Sequence, residues 1–371
     1  MCNFHGLCNL LLIYICKLHW NRIAPRSFLM QCLEKTNCTL TDLDISDNPL
    51  FYTSNNSGSA TVAGADIRTG LGKNHSLLRI DLSNVGFEPS QMVPVLGGLG
   101  KNSIMMRICL NGILLDEPSC LQLANALVSS KLLSTVELRH ARMGPKGGGL
   151  VLGMIEKICN RLTKVDLAGN NIGSYSILPL SRCLTNPECR IMTLDVSNNK
   201  LESDGGTYIA KALMRNSSVT DLDMSSNSLT LRVAEFMSDA LRGLYEGGRK
   251  VSDTKIRKIC LSENPSIGPL GAKVLMLAAA NDTTEHVELA NIGGSAQVAK
   301  IVALVLRRVT VPWYHLDISN NDSFRGGLNP IFWSLRHNNR LRVLKLRNNK
   351  AGSLFGAYPE NSFFYAETVT T

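Results

Sequence analysis

Apolar positions recur along this chain at fixed steps. In Leu162-Thr-Lys-Val165-Asp-Leu167-Ala-Gly-Asn170-Asn-Ile172, three apolar residues at steps of three and two lead to an Asn and then a further apolar position. The spacing predicts a short strand entered by a turn, with the Asn amide satisfying backbone groups where the strand ends. One copy is a weak signal, but the second apolar position of the pattern returns at Leu43, Ile80, Ile108, Val136, Val165, Leu194, Leu222, Ile259, Val287, Leu316 and Leu344. The steps are 37, 28, 28, 29, 29, 28, 37, 28, 29 and 28 residues, and so regular a period marks a stacked-repeat architecture.

Between the strand positions the periodicity turns helical, as in Asp204-Gly-Gly-Thr-Tyr208-Ile209-Ala-Lys-Ala212-Leu213. Strand, helix and parallel strand within 28 residues imply right-handed crossovers, with a parallel sheet on one side and helices on the other. The two 37-residue steps hold insertions outside the strands. Residues 51–63, containing Ser-Asn-Asn-Ser-Gly-Ser-Ala, read as a surface loop. Val233 to Leu244 reads as helix, with extra loop at Gly247-Gly-Arg-Lys.

These residues resemble the leucine-rich-repeat family, and the 28–29-residue unit resembles its ribonuclease-inhibitor-like subfamily. The resemblance implies an α/β solenoid (a horseshoe) of about eleven strand–helix repeats, with a concave parallel sheet and convex helices. It covers residues 40–351. Residues 1–39 are expected to form a helical cap, since a solenoid end exposes apolar surface that something must cover. Residues 352–371 are expected to be a partial cap or a poorly ordered tail. The run from Leu7 to Leu18 has neither the flanks of a signal peptide nor the length to cross a bilayer.

Composition changes this picture little. Hydrophobic residues make up 44% and charged residues 19%, which suits a soluble protein. The net charge of +9 has no Lys/Arg run behind it, which argues against nucleic-acid binding. Eleven Cys without a Cys-x-x-Cys pair fit reduced thiols in a cytoplasmic protein. Gly70-Leu-Gly-Lys73-Asn and Gly98-Leu-Gly-Lys101-Asn miss the phosphate-loop pattern and read as helix ends leading into the next strand.

The residue between the two strand hydrophobics should face away from the core. In order it reads Asp44, Asp81, Cys109, Glu137, Asp166, Asp195, Asp223, Cys260, Glu288, Asp317 and Lys345. This acidic row, with Arg107, Arg139 and Arg347 beside it, is the candidate protein-binding face: Asp81, Arg107, Glu137, Arg139, Asp166, Asp195, Asp223, Glu288, Asp317 and Arg347. The competing reading is that Leu-Asp-Leu-Ser is ordinary repeat wording, neutralised by Arg79, Arg107, Lys164 and Lys258. Concave Trp and Tyr are nearly absent, so an electrostatic, salt-sensitive interaction is expected.

Cys260, His286, Glu288, His315 and Asp317 fall together on neighbouring strands and form a weak candidate cluster for zinc. A polar surface patch is the preferred reading there, and neither a cofactor nor a catalytic set is expected. Leu194-Asp-Val-Ser-Asn-Asn-Lys-Leu201-Glu-Ser-Asp204-Gly and Leu40-Thr-Asp-Leu-Asp-Ile-Ser-Asp-Asn are similar to the repeats of the CARMIL family of actin-capping regulators. That resemblance implies a cytoplasmic scaffold near the cytoskeleton, and only its fold is carried over. The expected function is non-enzymatic protein binding. The alternative is a GTPase-activating regulator, since RanGAP is similar in repeat length.

Overall fold

A computed structural model describes residues 38–48, 68–244, 255–321 and 328–349, together with the strand 15–17 and Leu33. The chain divides into two compact units, residues 1–172 and 173–371. In the first, six strands run in sequence order: β1 Ile15–Lys17, β2 Asp42–Asp44, β3 Arg79–Asp81, β4 Arg107–Cys109, β5 Thr135–Glu137 and β6 Lys164–Asp166. Each pairs in parallel with the next, and the repeat positions align: Leu43 lies opposite Ile80, Ile80 opposite Ile108, Ile108 opposite Val136 and Val136 opposite Val165.

The second unit repeats the plan with β7 Thr193–Asp195, β8 Asp221–Asp223, β9 Lys258–Cys260, β10 His286–Glu288, β11 His315–Asp317 and β12 Val343–Lys345. Leu194 pairs with Leu222, Leu222 with Ile259, Ile259 with Val287, Val287 with Leu316 and Leu316 with Leu344. Helices return the chain between strands, among them Glu117–Ser129 in the first unit and Glu202–Leu213 in the second. The expected helix after Leu229 is Leu231–Leu241.

The core lies between the strands and the helices of each repeat. Ile108, Leu110, Leu123 and Leu127 are fully buried in one repeat, as are Leu222, Met224, Val233 and Met237 in another. Tight packing shows at Gly206, where an added Cβ would stand 2.6 Å from Leu229 Cδ2 and 2.9 Å from Val233 Cγ2. Only a residue without a side chain lets this helix lie so close to its neighbour.

The conserved-looking Asn position does more than end its own strand. Asn227 Oδ1 accepts hydrogen bonds from the Asn199 and Leu201 amides of the repeat before it, and its Nδ2 donates to Val196 O. Asn264 does the same for Asn227 and Leu229, and Asn321 for Ile292 and Gly294. These fully buried or nearly buried amides tie the repeats that carry them to their predecessors in the second unit. Where the sequence has Val85, Ile113, Ala141 or Ile292 instead, the side chain is buried. At Ala141 and Ile292 the Asn of the following repeat reaches back, Asn170 Oδ1 accepting the Ala141 amide and Asn321 Oδ1 that of Ile292.

The residue just before this position is left-handed in repeat after repeat: Asp47, Asn84, Gly112, His140, Gly169, Asn198, Ser226, Glu263, Asn291, Asn320 and Asn348. Asn, Asp and Gly tolerate that region best, which explains the Asp-Asn and Asn-Asn pairs in the sequence.

One local expectation differs within the described residues. Ile15–Lys17 is a strand, where a helix was expected across Leu7–Leu18; Cys16 pairs with Leu43 and adds a strand before the eleven the spacing predicts. A three-residue edge inside an apolar run carries no period of its own, so the repeat rule missed it. Residues 1–14, 18–32 and 34–37 of the expected 1–39 cap, the 51–63 loop, the Gly247–Lys250 stretch and the 352–371 tail lie outside the described residues.

Candidate protein-binding face

The side chains at the centre of the strand face come from the third residue of each strand, two positions before a turn. That position explains most of the acidic row. Asp44, Asp81, Asp195, Asp223 and Asp317 each accept the backbone amide two residues on, from Ser46, Ser83, Ser197, Ser225 and Ser319, at 2.9–3.0 Å. Asp44 and Asp223 also accept the serine hydroxyl at 2.7 Å. The carboxylates are therefore turn caps as well as surface charges, and the Asp-x-Ser spacing is the signal for it.

The first unit neutralises part of its row, at Glu137 and Asp166. Glu137 is buried and accepts Lys164 Nζ at 2.8 Å, with Arg107 at 3.3 Å. Cys109 Sγ donates to the same carboxylate at 3.0 Å. Burial alone would raise the Glu137 carboxyl; the bonds from Lys164 and Cys109 and the Arg107 charge outweigh it and hold it below its ordinary value. Burial and the Glu137 contact push the Cys109 thiol up to about 12, so it stays protonated. Arg139 pairs with buried Asp166 at 2.5 Å, and Arg79 with Asp42 at 2.8 Å. Asp81 sits half-buried at β3, in register with Cys109.

The second unit is built differently. Asp195 on β7 lies opposite Asp223 on β8, with Asp221 at the other end of β8. Neither Asp221 nor Asp223 has a Lys or Arg ion-pair partner among the described residues. Asp223 is raised from its ordinary value by burial, only partly offset by its Ser225 bonds, with the Asp195 and Glu288 charges adding to the rise. Asp317 has Lys345 3.7 Å away, and Arg347 is exposed just past β12. Of the ten predicted face residues, Glu137 and Asp166 of the first unit are paired with Arg107 and Arg139, while the second unit contributes Asp195, Asp223, Glu288 and Asp317, of which Asp317 has Lys345 nearby.

His286 and His315 occupy paired positions of β10 and β11, and their rings stack at 3.8 Å. His286 Nε2 lies 2.5 Å from Glu288 Oε1 and His315 Nε2 lies 3.8 Å from the same atom. Cys260 is in register with Glu288, and Asp317 with Glu288 on the other side. Burial, with the charges of Asp223 and Glu288, raises the Cys260 thiol.

Sequence reasoning missed a second set of asparagines, at the helix-to-strand turns. Asn102, Asn216, Asn281 and Asn338 each donate to a carbonyl of an earlier turn and accept amides of their own turn. The Lys101-Asn102 pair that breaks the phosphate-loop pattern was the trace of one of them.

A family model described as "Leucine Rich repeat" matches residues 36–50 and 190–210, which contain β2 and β7. Those segments lie in register with every other strand of their units. The repeats are leucine-rich repeats. Among curated proteins, the leucine-rich-repeat chain is similar to human NACHT, LRR and PYD domains-containing protein 14, 26% identical over 40% of this chain and 14% of that protein. It is also similar to the Dictyostelium discoideum Rho GTPase-activating protein gacW, 29% identical over 38% of this chain and 13% of that protein. The chain therefore spans about a seventh of the length of these relatives. Among solved structures, it resembles a chain from the yeast Rad7–Elc1 complex with a TM-score of 0.47 and 11% identity, covering 82% of this chain and 77% of that one. No helix among the described residues is long and apolar enough to cross a membrane.

Proposed function

We propose that this leucine-rich-repeat chain is a non-enzymatic, cytoplasmic protein-binding scaffold, and that Asp195, Asp221 and Asp223 meet a basic surface of the partner. The observation behind this reading is the pair Asp221 and Asp223, which have no Lys or Arg ion-pair partner among the described residues, beside buried Asp195. The raised Asp223 carboxyl means its negative charge is held at a cost in the free protein. A Lys or Arg supplied by a partner relieves that cost, which favours association with a cationic surface. The ion pairs of the first unit, Arg107 and Lys164 on Glu137 and Arg139 on Asp166, leave less uncompensated charge there. The scaffold's repeat similarity to cytoskeletal regulators makes an actin-associated partner the first to try.

The test is capture of partners on the immobilised chain, with affinity then measured for the recovered protein. The triple variant Asp195→Asn, Asp221→Asn, Asp223→Asn is expected to bind about tenfold more weakly, and added salt to weaken the parent. Recovery of no partner beside a measurable turnover would overturn the reading. A second reading, acceleration of GTP hydrolysis on a small GTPase, draws on the similarity to a Rho GTPase-activating protein. Phosphate release that stays unchanged across a panel of small GTPases removes it.

A further inference from the structure

From the donor set on β10 and β11, we propose that His286, Glu288 and His315 bind a divalent transition metal, best matched by Zn2+, through both Nε2 atoms and the Glu288 carboxylate. One ligand atom from each residue lies within 4.8 Å of the others. His315 is nine-tenths buried, and its Nε2 has no hydrogen-bond partner among the described residues. A buried imidazole nitrogen without a partner is costly, and here it is turned toward a carboxylate and a second imidazole.

The chemistry of the set suits the metal. Two imidazoles and one carboxylate supply three ligands of the type zinc takes when a fourth position stays open to water. At zinc bond lengths, tetrahedral ligand atoms stand roughly 3.3 Å apart. The observed separations from Glu288 Oε1, 2.5 Å to His286 Nε2 and 3.8 Å to His315 Nε2, fall on either side of that spacing. Binding needs the stacked rings to fan apart and the Glu288 side chain, about a quarter exposed, to draw back.

Tyr314 Oη lies 3.3 Å from His286 Nδ1 and fixes the back of that ring, as the outer partner of a metal-bound imidazole does. Asp317 and Asp223 add negative charge around the position; Lys258 and Lys345 oppose it. Cys260 lies in register with Glu288 but is not among the residues whose ligand atoms meet within 4.8 Å, so it is not counted as a ligand.

The full chain, stripped with a chelator, would be titrated with Co2+ and then with Zn2+. One Co2+ per chain is expected, with tetrahedral visible bands, no thiolate charge-transfer band and displacement by Zn2+. Glu288→Gln and His286→Asn should each weaken binding roughly 100-fold, while the Glu288→Gln melting curve shows the fold intact. Cys260→Ser should change affinity by less than about threefold. Non-saturating binding, a thiolate band, or Glu288→Gln binding as tightly as the parent would overturn the site, and leaves the docking proposal at β7 and β8 standing.

Discussion

The strand faces of the two units use one row of positions in opposite ways. In the first unit, Glu137 and Asp166 are buried beneath Arg107, Lys164 and Arg139, and the charge is balanced inside the chain. In the second, Asp221 and Asp223 have no such basic partners among the described residues, and Asp223 is raised by burial and by its carboxylate neighbours. The turns differ as well. Three of the five Asn positions of the first unit hold Val85, Ile113 and Ala141; in the second, Ile292 alone of six departs, beside Asn199, Asn227, Asn264, Asn321 and Asn349. Repeats of one design can thus carry their charge balance and their polar connections separately. A row of acids in a sequence does not by itself mark an acidic surface.

The largest effect is expected at the buried asparagines of the second unit. Asn227→Ala removes acceptors for the Asn199 and Leu201 amides and a donor to Val196 O, all buried. It should destabilise the protein by about 3 kcal/mol, read as a fall in the denaturant midpoint. An unchanged midpoint would mean that apolar packing alone holds the repeats of the second unit.

Next in size is the partner's preference between the faces. The triple aspartate variant on β7 and β8 should cost about tenfold in affinity, whereas Arg107→Ala or Arg139→Ala should cost less than about threefold. The reverse ranking would move the docking surface to the first unit.

The smallest effects have opposite signs in the two units. The Glu137 carboxyl is lowered in the folded state, so its stabilisation is present above the ordinary carboxylate value and is lost as pH falls through the lowered one. Glu137→Gln should therefore destabilise by about 1 kcal/mol at pH 7, its ion-pair partners being half-exposed, and by little in strong acid. Asp223 is raised, so its favourable contribution is full below the ordinary Asp value and is lost as pH rises through the raised one. Asp223→Asn, which keeps an oxygen to cap Ser225, should raise the melting temperature slightly at pH 7 and leave it unchanged near pH 3. Melting curves across that range check both signs.

Much of the fold was legible because a repeat makes its own period visible: Val136 and Val165, or Leu194 and Leu222, pair where a 28- or 29-residue step places them. β1 was not legible, since Ile15–Lys17 lies in an apolar run with no Asn and no second strand position to mark it. For the face, sequence gave the row but not its engagement. Asp-x-Ser capping was readable from spacing, whereas the grip of Arg107 and Lys164 on Glu137 depends on side chains one strand away on either side. The stacking of His286 on His315 followed from the register; the unpartnered, buried Nε2 of His315 depends on everything packed around it.

The most direct measurement is carboxyl labelling of the chain with and without its captured partner, read residue by residue. The docking account predicts that labelling of Asp221 and Asp223 falls in the complex while that of half-buried Asp81 holds. Protection confined to the first unit, or to carboxylates on the helices such as Glu235, would contradict it.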